Sequence, residues 1–417
     1  MPIFHPDNLS TVLLRTGVVL ERKAVDRLRD MKIPEVWIHY PKLEMISRFV
    51  SPGAMAARAA MAGEVSEAFD AARGDAHARL DFPSYKAAMS GLVQKLACDQ
   101  SSAIFIGELV DAGQPAVRHG ANVGLISMLM GLRLGFYMMR ERKRITTAMA
   151  KDVTSLGVAA MLHDIGMTRL EPEVLERWRR TQNEDDPEWR QHVRIGYDMV
   201  RGQIEPSAAA CILHHHQRYD GSGFPMRRTL QGHTEPIIGD AIHIYSRIIA
   251  VADLYDRMIN PASNPGDVSE EMVGIPPVAA LQALVNGPHR HSVDPVVLRA
   301  LLSVCPAYSP GSMVTLSNGV RAAVTDWSVL DPCRPTVHEI GDPRDDDLGD
   351  RIDLREDPTI EIVDCDGIDT SEYNFYPSSP QEFDLMHVEK AMMNGAIEPV
   401  PVGPGESGEF EVPRQVA

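Results

Sequence analysis

Met161-Leu162-His163-Asp164-Ile165-Gly166 sets an adjacent histidine and aspartate inside an apolar helical run. An unpaired carboxylate in such a run is costly to bury. Coordination of a divalent cation resolves the cost, because a neutral imidazole and a carboxylate are both good ligands for Fe, Mn or Zn. An isolated His-Asp pair is more often a helix-terminal carboxylate beside a surface histidine. This pair is not isolated. His119 lies on an earlier amphipathic stretch, and Asp253 follows the apolar run Ile248-Ile249-Ala250-Val251-Ala252. His192 precedes Ile195-Gly196, and His215-His216 stand immediately before a glycine-rich turn. Of the neighbouring His214, His215 and His216, at most two can share one site, since consecutive helical residues diverge by about 100°.

Working outward, the pattern from 101 to 305 is almost wholly helical. Apolar residues recur at three- and four-residue intervals at Val117, Val123, Ile126 and Met130, at Leu156 and Ala160, and at Ile242, Tyr245, Ile249 and Ala252. The clearest break is Tyr219-Asp220-Gly221-Ser222-Gly223-Phe224-Pro225. This predicts a mostly α fold, with a helical bundle over 101–305 that holds the His/Asp residues. Residues 1–50 read as a small mixed unit, in which a helix over Arg22 to Met31 is followed by strand character at Val36-Trp37-Ile38. Residues 51–100 read as connecting helices. After Pro306 the pattern becomes β, with a hairpin around Asn318-Gly319, and 306–365 reads as a small β appendage. Residues 366–417, acidic and rich in Pro and Gly, read as a largely disordered tail.

Composition narrows the class. A formal net charge of -17 over 417 residues argues against a general nucleic-acid binder, which would show a basic face. The five cysteines, Cys98, Cys211, Cys305, Cys333 and Cys365, are scattered and never in a Cys-x-x-Cys pair, a pattern of reduced thiols. Val123 to Leu132 is too short to span a bilayer and runs into Arg133. The first residues lack a basic segment followed by an apolar core. The expectation is a cytoplasmic protein that binds no nucleic acid and no membrane.

The order His119, His163-Asp164, Asp253 resembles the H…HD…D pattern of the HD phosphohydrolase superfamily. His215-His216-Gln217-Arg218-Tyr219-Asp220-Gly221-Ser222-Gly223-Phe224-Pro225 is similar to the HHExxDGxGYP signature of its HD-GYP subfamily. His192 with Gly196 resembles the subfamily's HPxxG element, and Ile244 to Asp253 its arginine-to-aspartate helix. The resemblance covers about half of the chain. It implies hydrolysis of cyclic di-GMP, or a related cyclic nucleotide, by a hydroxide activated between two divalent metal ions, Fe, Mn or Zn. His119, His163, Asp164 and Asp253 would form the first metal site. Asp164 would bridge to a second held by His192, His215 and His216, and His163 and Asp164 would be the catalytic pair. Arg218, Asp220, Gly221, Gly223 and Arg257 would bind substrate.

The sequence departs from the family in the residues that grip substrate. The lysine of HDxGK is Met167, the glutamate of HHExxDG is Gln217, and the tyrosine of GYP is Phe224. Pro115 occupies the place where trinuclear members carry a glutamate ligand, which removes the expectation of a third ion. Where an RPYxK-like stretch would follow Asp253, this chain reads Ile259-Asn260-Pro261-Ala262-Ser263-Asn264-Pro265. Loss of each charge-assisted phosphate contact costs about 1.5–3 kcal/mol of binding unless another cation compensates. Two alternatives to the phosphodiesterase therefore stand. One is a non-catalytic HD-GYP protein that binds a nucleotide, or a signalling protein through the Gly221–Pro225 loop. The other is an enzyme for a different phosphoester, such as a nucleotide monophosphate. A homodimer is compatible with each.

Overall fold

The computed structural model describes residues 3–5, 8–15, 17–31, 33, 36, 42–49, 52–74, 80–98, 115–261, 274–341 and 349–393. It opens with an antiparallel hairpin of β1 (Ile3–His5) and β2 (Asn8–Leu14), followed by α1 (Arg22–Asp30). Leu28 is the buried residue of α1, whereas Val25, one turn earlier, is exposed. The strand expected at Val36–Ile38 falls largely on residues outside those described.

Two helices, α2 (Pro52–Gly74) and α3 (Phe82–Cys98), come next. They were expected to connect two units. Instead Met61, Val65, Phe69, Met89 and Leu92 are buried in the same apolar core as the helices that follow. Their alanine- and methionine-rich faces are packing surfaces, because Met fills irregular gaps between close helices.

At the centre is α4 (Pro115–Arg133), buried without interruption from Gly120 to Gly131. A helix that is apolar all round must be covered on every side, and α2, α7 and α11 lie against it. Around it run α5 (Gly135–Glu141), α6 (Thr147–Lys151), α7 (Thr154–Met161), α8 (Pro172–Thr181), α9 (Gln191–Val200) and α10 (Pro206–His214). A short ribbon of β3 (Arg227–Arg228) and β4 (Thr234–Glu235) precedes α11 (Ile244–Ile259), α12 (Pro277–Val285) and α13 (Pro295–Leu302). Among the described residues, no single helix is long and apolar enough to cross a membrane.

The β region is a six-stranded antiparallel sheet made of β5 (Met313–Leu316), β6 (Arg321–Asp326), β7 (Thr336–Glu339), β8 (Arg351–Asp353), β9 (Ile362–Cys365) and β10 (Ile368–Asp369), in the order β10-β9-β5-β6-β7-β8. The Asn318-Gly319 turn joins β5 to β6, with Gly319 at φ +86°. Val314, Leu316, Val324 and Val337 on the sheet are continuous with the helical core.

The segment read as a disordered tail from residue 366 is folded as far as Met393. Thr370, Phe375 and Phe383 are buried, α14 (Leu385–Met393) follows, and Arg299 donates to the Glu382 carbonyl oxygen at 2.7 Å. A few aromatic anchors outweigh the polar composition between them. Residues 394–417 of that expected tail lie outside the described residues.

Candidate metal centre

Most of the site's side chains come from near helix ends. His119 is in the first turns of α4, and His192 is in the first turn of α9. His163 and Asp164 follow the last residue of α7, and His215 and His216 follow the last residue of α10. Asp253 comes from mid-helix, on α11. Helix ends allow this convergence because the chain leaves the helical path there and side chains on consecutive residues can turn to one point. His214 remains outside the cluster, as the divergence of adjacent helical residues requires.

Glycine sets how closely two of these segments meet. A Cβ on Gly166 would lie 2.0 Å from the His192 carbonyl oxygen and 2.6 Å from the Gly196 nitrogen. The glycines of the His163-Asp164 segment and of the His192 segment are thus in backbone contact, which brings Asp164 to His192. On the turn after His216, a Cβ on Gly223 would come within 2.3 Å of the His216 carbonyl oxygen.

All seven residues expected to bind metal come together. Asp164 lies at the middle with its two oxygens facing different ways. Its Oδ2 is 3.5 Å from His163 Nε2 and 3.8 Å from His119 Nε2, while its Oδ1 is 3.4 Å from His192 Nε2 and 3.5 Å from His215 Nε2. Asp253 Oδ1 is 3.0 Å from His119 Nε2 and 3.6 Å from His163 Nε2, and its Oδ2 is 3.9 Å from His216 Nδ1. Two overlapping groups of donor atoms result, one from His119, His163 and Asp164 and one from Asp164, His192, His215 and His216.

The ring tautomers are set by the backbone. His163 Nδ1 donates to the Ala160 carbonyl oxygen at 2.6 Å, His192 Nδ1 to that of Trp189 at 2.7 Å, and His215 Nδ1 to that of Ile212 at 2.8 Å. A carbonyl can only accept, so Nδ1 carries the proton in each ring and Nε2 presents its lone pair to the cluster. His119 Nδ1 donates to the Asp256 carboxylate at 2.7 Å.

The protonation states suit a cation. Burial holds the His192 pKa down at about 3, and burial also lowers His215 and His216. Burial opposes ionisation of Asp164, but the surrounding histidines and Arg257 outweigh it and hold the carboxyl well below its usual range. Asp253 is likewise held down, against its burial, by Arg257 and the hydrogen bonds of His119 and His163. His119 is the exception. Burial would lower its pKa, yet the hydrogen bonds to Asp253 and Asp256 raise it to about 10.

Three buried polar atoms of the cluster, Asp164 Oδ1, Asp253 Oδ2 and His216 Nδ1, make no hydrogen bond among the described residues. Leaving a buried acceptor unsatisfied costs about 1–3 kcal/mol, and more for a charged group. Three such atoms in one cluster, each on a residue with metal-binding chemistry, fit divalent ions well. The group has no thiolate and mixes imidazole with carboxylate, unlike a closed structural zinc site.

The site lies at a seam between the main core and a small second cluster of Val174, Trp178, Trp189, Val193 and Phe224. Trp178 and Trp189 stack at 3.8 Å, Trp189 sits 4.5 Å from the His192 ring, and Phe224 stacks on His216 at 4.6 Å. Met167, in place of the family's lysine, packs against this cluster.

The residues expected to bind substrate divide into two kinds. Arg257 is at the metal cluster, with Nε 2.8 Å from Asp253 Oδ1 and Nη2 3.8 Å from Asp164 Oδ2. Arg218 is buried and reaches Glu184 at 3.1 Å. Asp220 is exposed and its Oδ1 accepts from the Ser222 backbone N–H at 2.9 Å, so its observed partner lies within the turn that it shares with Gly221 and Gly223. Residues 262–265, at the place of the missing basic stretch, lie outside the described residues.

Three contributors were not foreseen. Asp256 locks His119 and is itself held by Asn122 and Asn260, at 2.8 and 2.9 Å. Its position three residues after Asp253, on one helix face, was the available signal. Glu184 and the stacked tryptophans carried none, because their role depends on how the loop after α8 folds back.

Residues 138–272 match the HD domain family. The chain is 32% identical over 113 residues to the cyclic di-GMP phosphodiesterase response regulator RpfG of Xanthomonas campestris pv. campestris, a match covering 26% of this chain and 28% of that protein. It is 26% identical over 332 residues to a cyclic di-GMP phosphodiesterase of Pseudomonas aeruginosa, covering 75% of each. A third relative, a cyclic di-GMP phosphodiesterase of Thermotoga maritima, is 34% identical over 123 residues, or 28% of this chain and 31% of that one. The chain thus spans less than a third of the Xanthomonas and Thermotoga relatives. The His163-Asp164 pair lies inside the segment that matches the HD domain family, and residues 215–225 are similar to the HD-GYP signature with Gln217 and Phe224 as departures.

Proposed function

We propose that this chain is a metal-dependent phosphodiesterase that hydrolyses cyclic di-GMP or a related cyclic dinucleotide. The observation that carries the reading is Asp164, whose two oxygens face two separate histidine sets. His119, His163, Asp164 and Asp253 would hold one divalent ion, and Asp164, His192, His215 and His216 a second, with Fe or Mn favoured and Zn compatible. Bound ions supply Lewis-acid activation of water and neutralise charge developing on the phosphodiester.

The chain's own residues do the rest. The carbonyl oxygens of Ala160, Trp189 and Ile212 orient three imidazoles before any ion arrives, so little ordering cost remains at binding. Asp164 and Asp253 stay ionised at neutral pH. The Trp189 and Phe224 rings exclude water from the His192 and His216 side. Arg257 and Arg218 are the cations available to hold phosphate oxygens in place of the family's lysine and basic stretch.

Anaerobically prepared protein loaded with Fe(II) or Mn(II) should cleave cyclic di-GMP, and His163→Ala and Asp164→Ala should abolish cleavage. Protein with two ions bound that turns over no cyclic dinucleotide would contradict the reading. Met167 favours a second one, a non-catalytic protein that binds a nucleotide or a signalling partner, since an apolar side chain packs where the family places an ammonium group. Nucleotide binding without turnover, unchanged in Asp164→Ala, would select it.

A further inference from the structure

The loop between α8 and α9 carries three consecutive acids with different partners. Asp186 takes the Arg177 guanidinium at 2.6 Å and accepts from the backbone N–H groups of Glu188 and Trp189. Asp185 takes Arg190 at 2.7 Å. Glu184 instead reaches towards the metal cluster, with Oε2 3.1 Å from Arg218 Nη2 and Oε1 3.4 Å from Arg257 Nη1. These two arginines come from distant parts of the chain, the turn after α10 and the last turn of α11, and one carboxylate spans both.

The two guanidinium groups depend on Glu184 to different degrees. Arg257 already lies against Asp253 and Asp164. Arg218 is 8% exposed, and its Nη1 makes no hydrogen bond among the described residues. A guanidinium that deeply buried ordinarily has its donors used. The vacant donor belongs to the same guanidinium that holds Glu184, so an anion larger than a carboxylate, with more acceptor oxygens, would satisfy it. Glu184 keeps 36% of its side chain exposed, so it can leave for water at small cost. The loop does not rely on its carboxylate either, because Arg190 Nε donates to the Glu184 backbone carbonyl.

We propose that Glu184 is a built-in anionic occupant of a two-arginine phosphate clamp, Arg218 with Arg257, and that a nucleotide phosphate binds there by displacing it. Carboxylate and phosphate meet a guanidinium in the same forked geometry. The clamp would stand in for the lysine that Met167 replaces and for the basic stretch that residues 258–273 lack in sequence, with Glu184 setting how tightly phosphate must bind to open it. The inference rests on the reading of the site as a phosphodiesterase.

The test is calorimetric titration of the full-length Mn-loaded protein with inorganic phosphate, alongside KM for cyclic di-GMP on the same samples. Glu184→Gln should tighten phosphate binding about three- to tenfold and lower KM by a similar factor. Glu184→Asp, which keeps the charge on a shorter arm and the loop intact, should tighten it by a smaller factor. Adding Arg218→Gln to Glu184→Gln should remove the gain. Phosphate affinity at or below the wild-type value in both single variants would overturn the clamp, as would a gain that survives Arg218→Gln. The two readings separate cleanly. No cyclic di-GMP turnover with the expected phosphate response removes the substrate reading alone. Turnover with no phosphate response removes the clamp alone.

Discussion

At the scale of single residues, the site is built from one repeated device. His163, His192 and His215 each donate Nδ1–H to a carbonyl three residues earlier in the chain. The local helical turn therefore sets the tautomer, and no side-chain partner is needed. His119 lacks that arrangement and uses Asp256 instead. Removing such an oriented carboxylate typically costs 10–100-fold in metal affinity. Asp256→Asn should therefore weaken metal binding by about 10–100-fold, read by titration against a metal-buffering chelator. Unchanged affinity would show that His119 needs no orientation. The residues expected to bind metal were legible because the His163-Asp164 pair stands in an apolar run and because the order of the others resembles the HD-GYP pattern. Asp256 and Glu184 were not singled out, because a hydrogen bond to a ring nitrogen or to two guanidinium groups depends on packing between distant segments. Asp220 looked like a substrate contact in the sequence, whereas the partner that it shows, Ser222, lies within its own turn.

At the scale of elements, α11 serves two ends. Its Asp253 and Arg257 face the cluster, while Arg247, two turns earlier, is buried and knits four segments together. Arg247 Nη1 donates to Asp294 Oδ2 at 2.7 Å and to the Tyr137 hydroxyl at 2.6 Å, and the guanidinium also contacts Asp240 and Glu141. The arginine of the arginine-to-aspartate helix thus acts on the fold and lies apart from the metal cluster. Asp294 is also the N-cap of α13, accepting from the Val296 and Val297 backbone N–H groups. Asp294→Ala removes a cap and one partner of a buried cation. The expected loss is about 3–5 kcal/mol, measured as a shift in the urea midpoint at unchanged slope. A loss under about 1 kcal/mol would mean that Glu141 and Asp240 suffice. The helical periodicity of the sequence located α4, α7 and α11, but it could not show which helix is central, since that follows from how many neighbours cover it.

At the scale of the whole molecule, the main apolar core runs from α2 to the sheet and on to Val388 of α14. The helices expected to connect (52–74 and 82–98) and the part of the expected tail over 366–393 are both packed, for the same reason. Both stretches have compositions dominated by small or polar residues, and in both a few large side chains make the burial. Phe383 is 1% exposed and meets Phe375 edge to face at 5.9 Å. Phe383→Ala should cost about 3–5 kcal/mol, and a thermal midpoint equal to wild type would show that the segment contributes nothing. The hairpin around Asn318-Gly319 was legible because its turn chemistry is local. The six-stranded order was not, since β9 pairs with β5 across a long stretch of chain.

Every scale converges on Asp164, shared between His119 with His163 on one side and His192 with His215 on the other. Counting divalent ions per chain by elemental analysis tests that sharing most directly, using anaerobically purified protein loaded with Mn(II) and then desalted. The account predicts two ions in the wild type, one in His119→Ala, one in His192→Ala and none retained in Asp164→Ala. A wild type that retains no ion, or an Asp164→Ala variant that retains two, would contradict it.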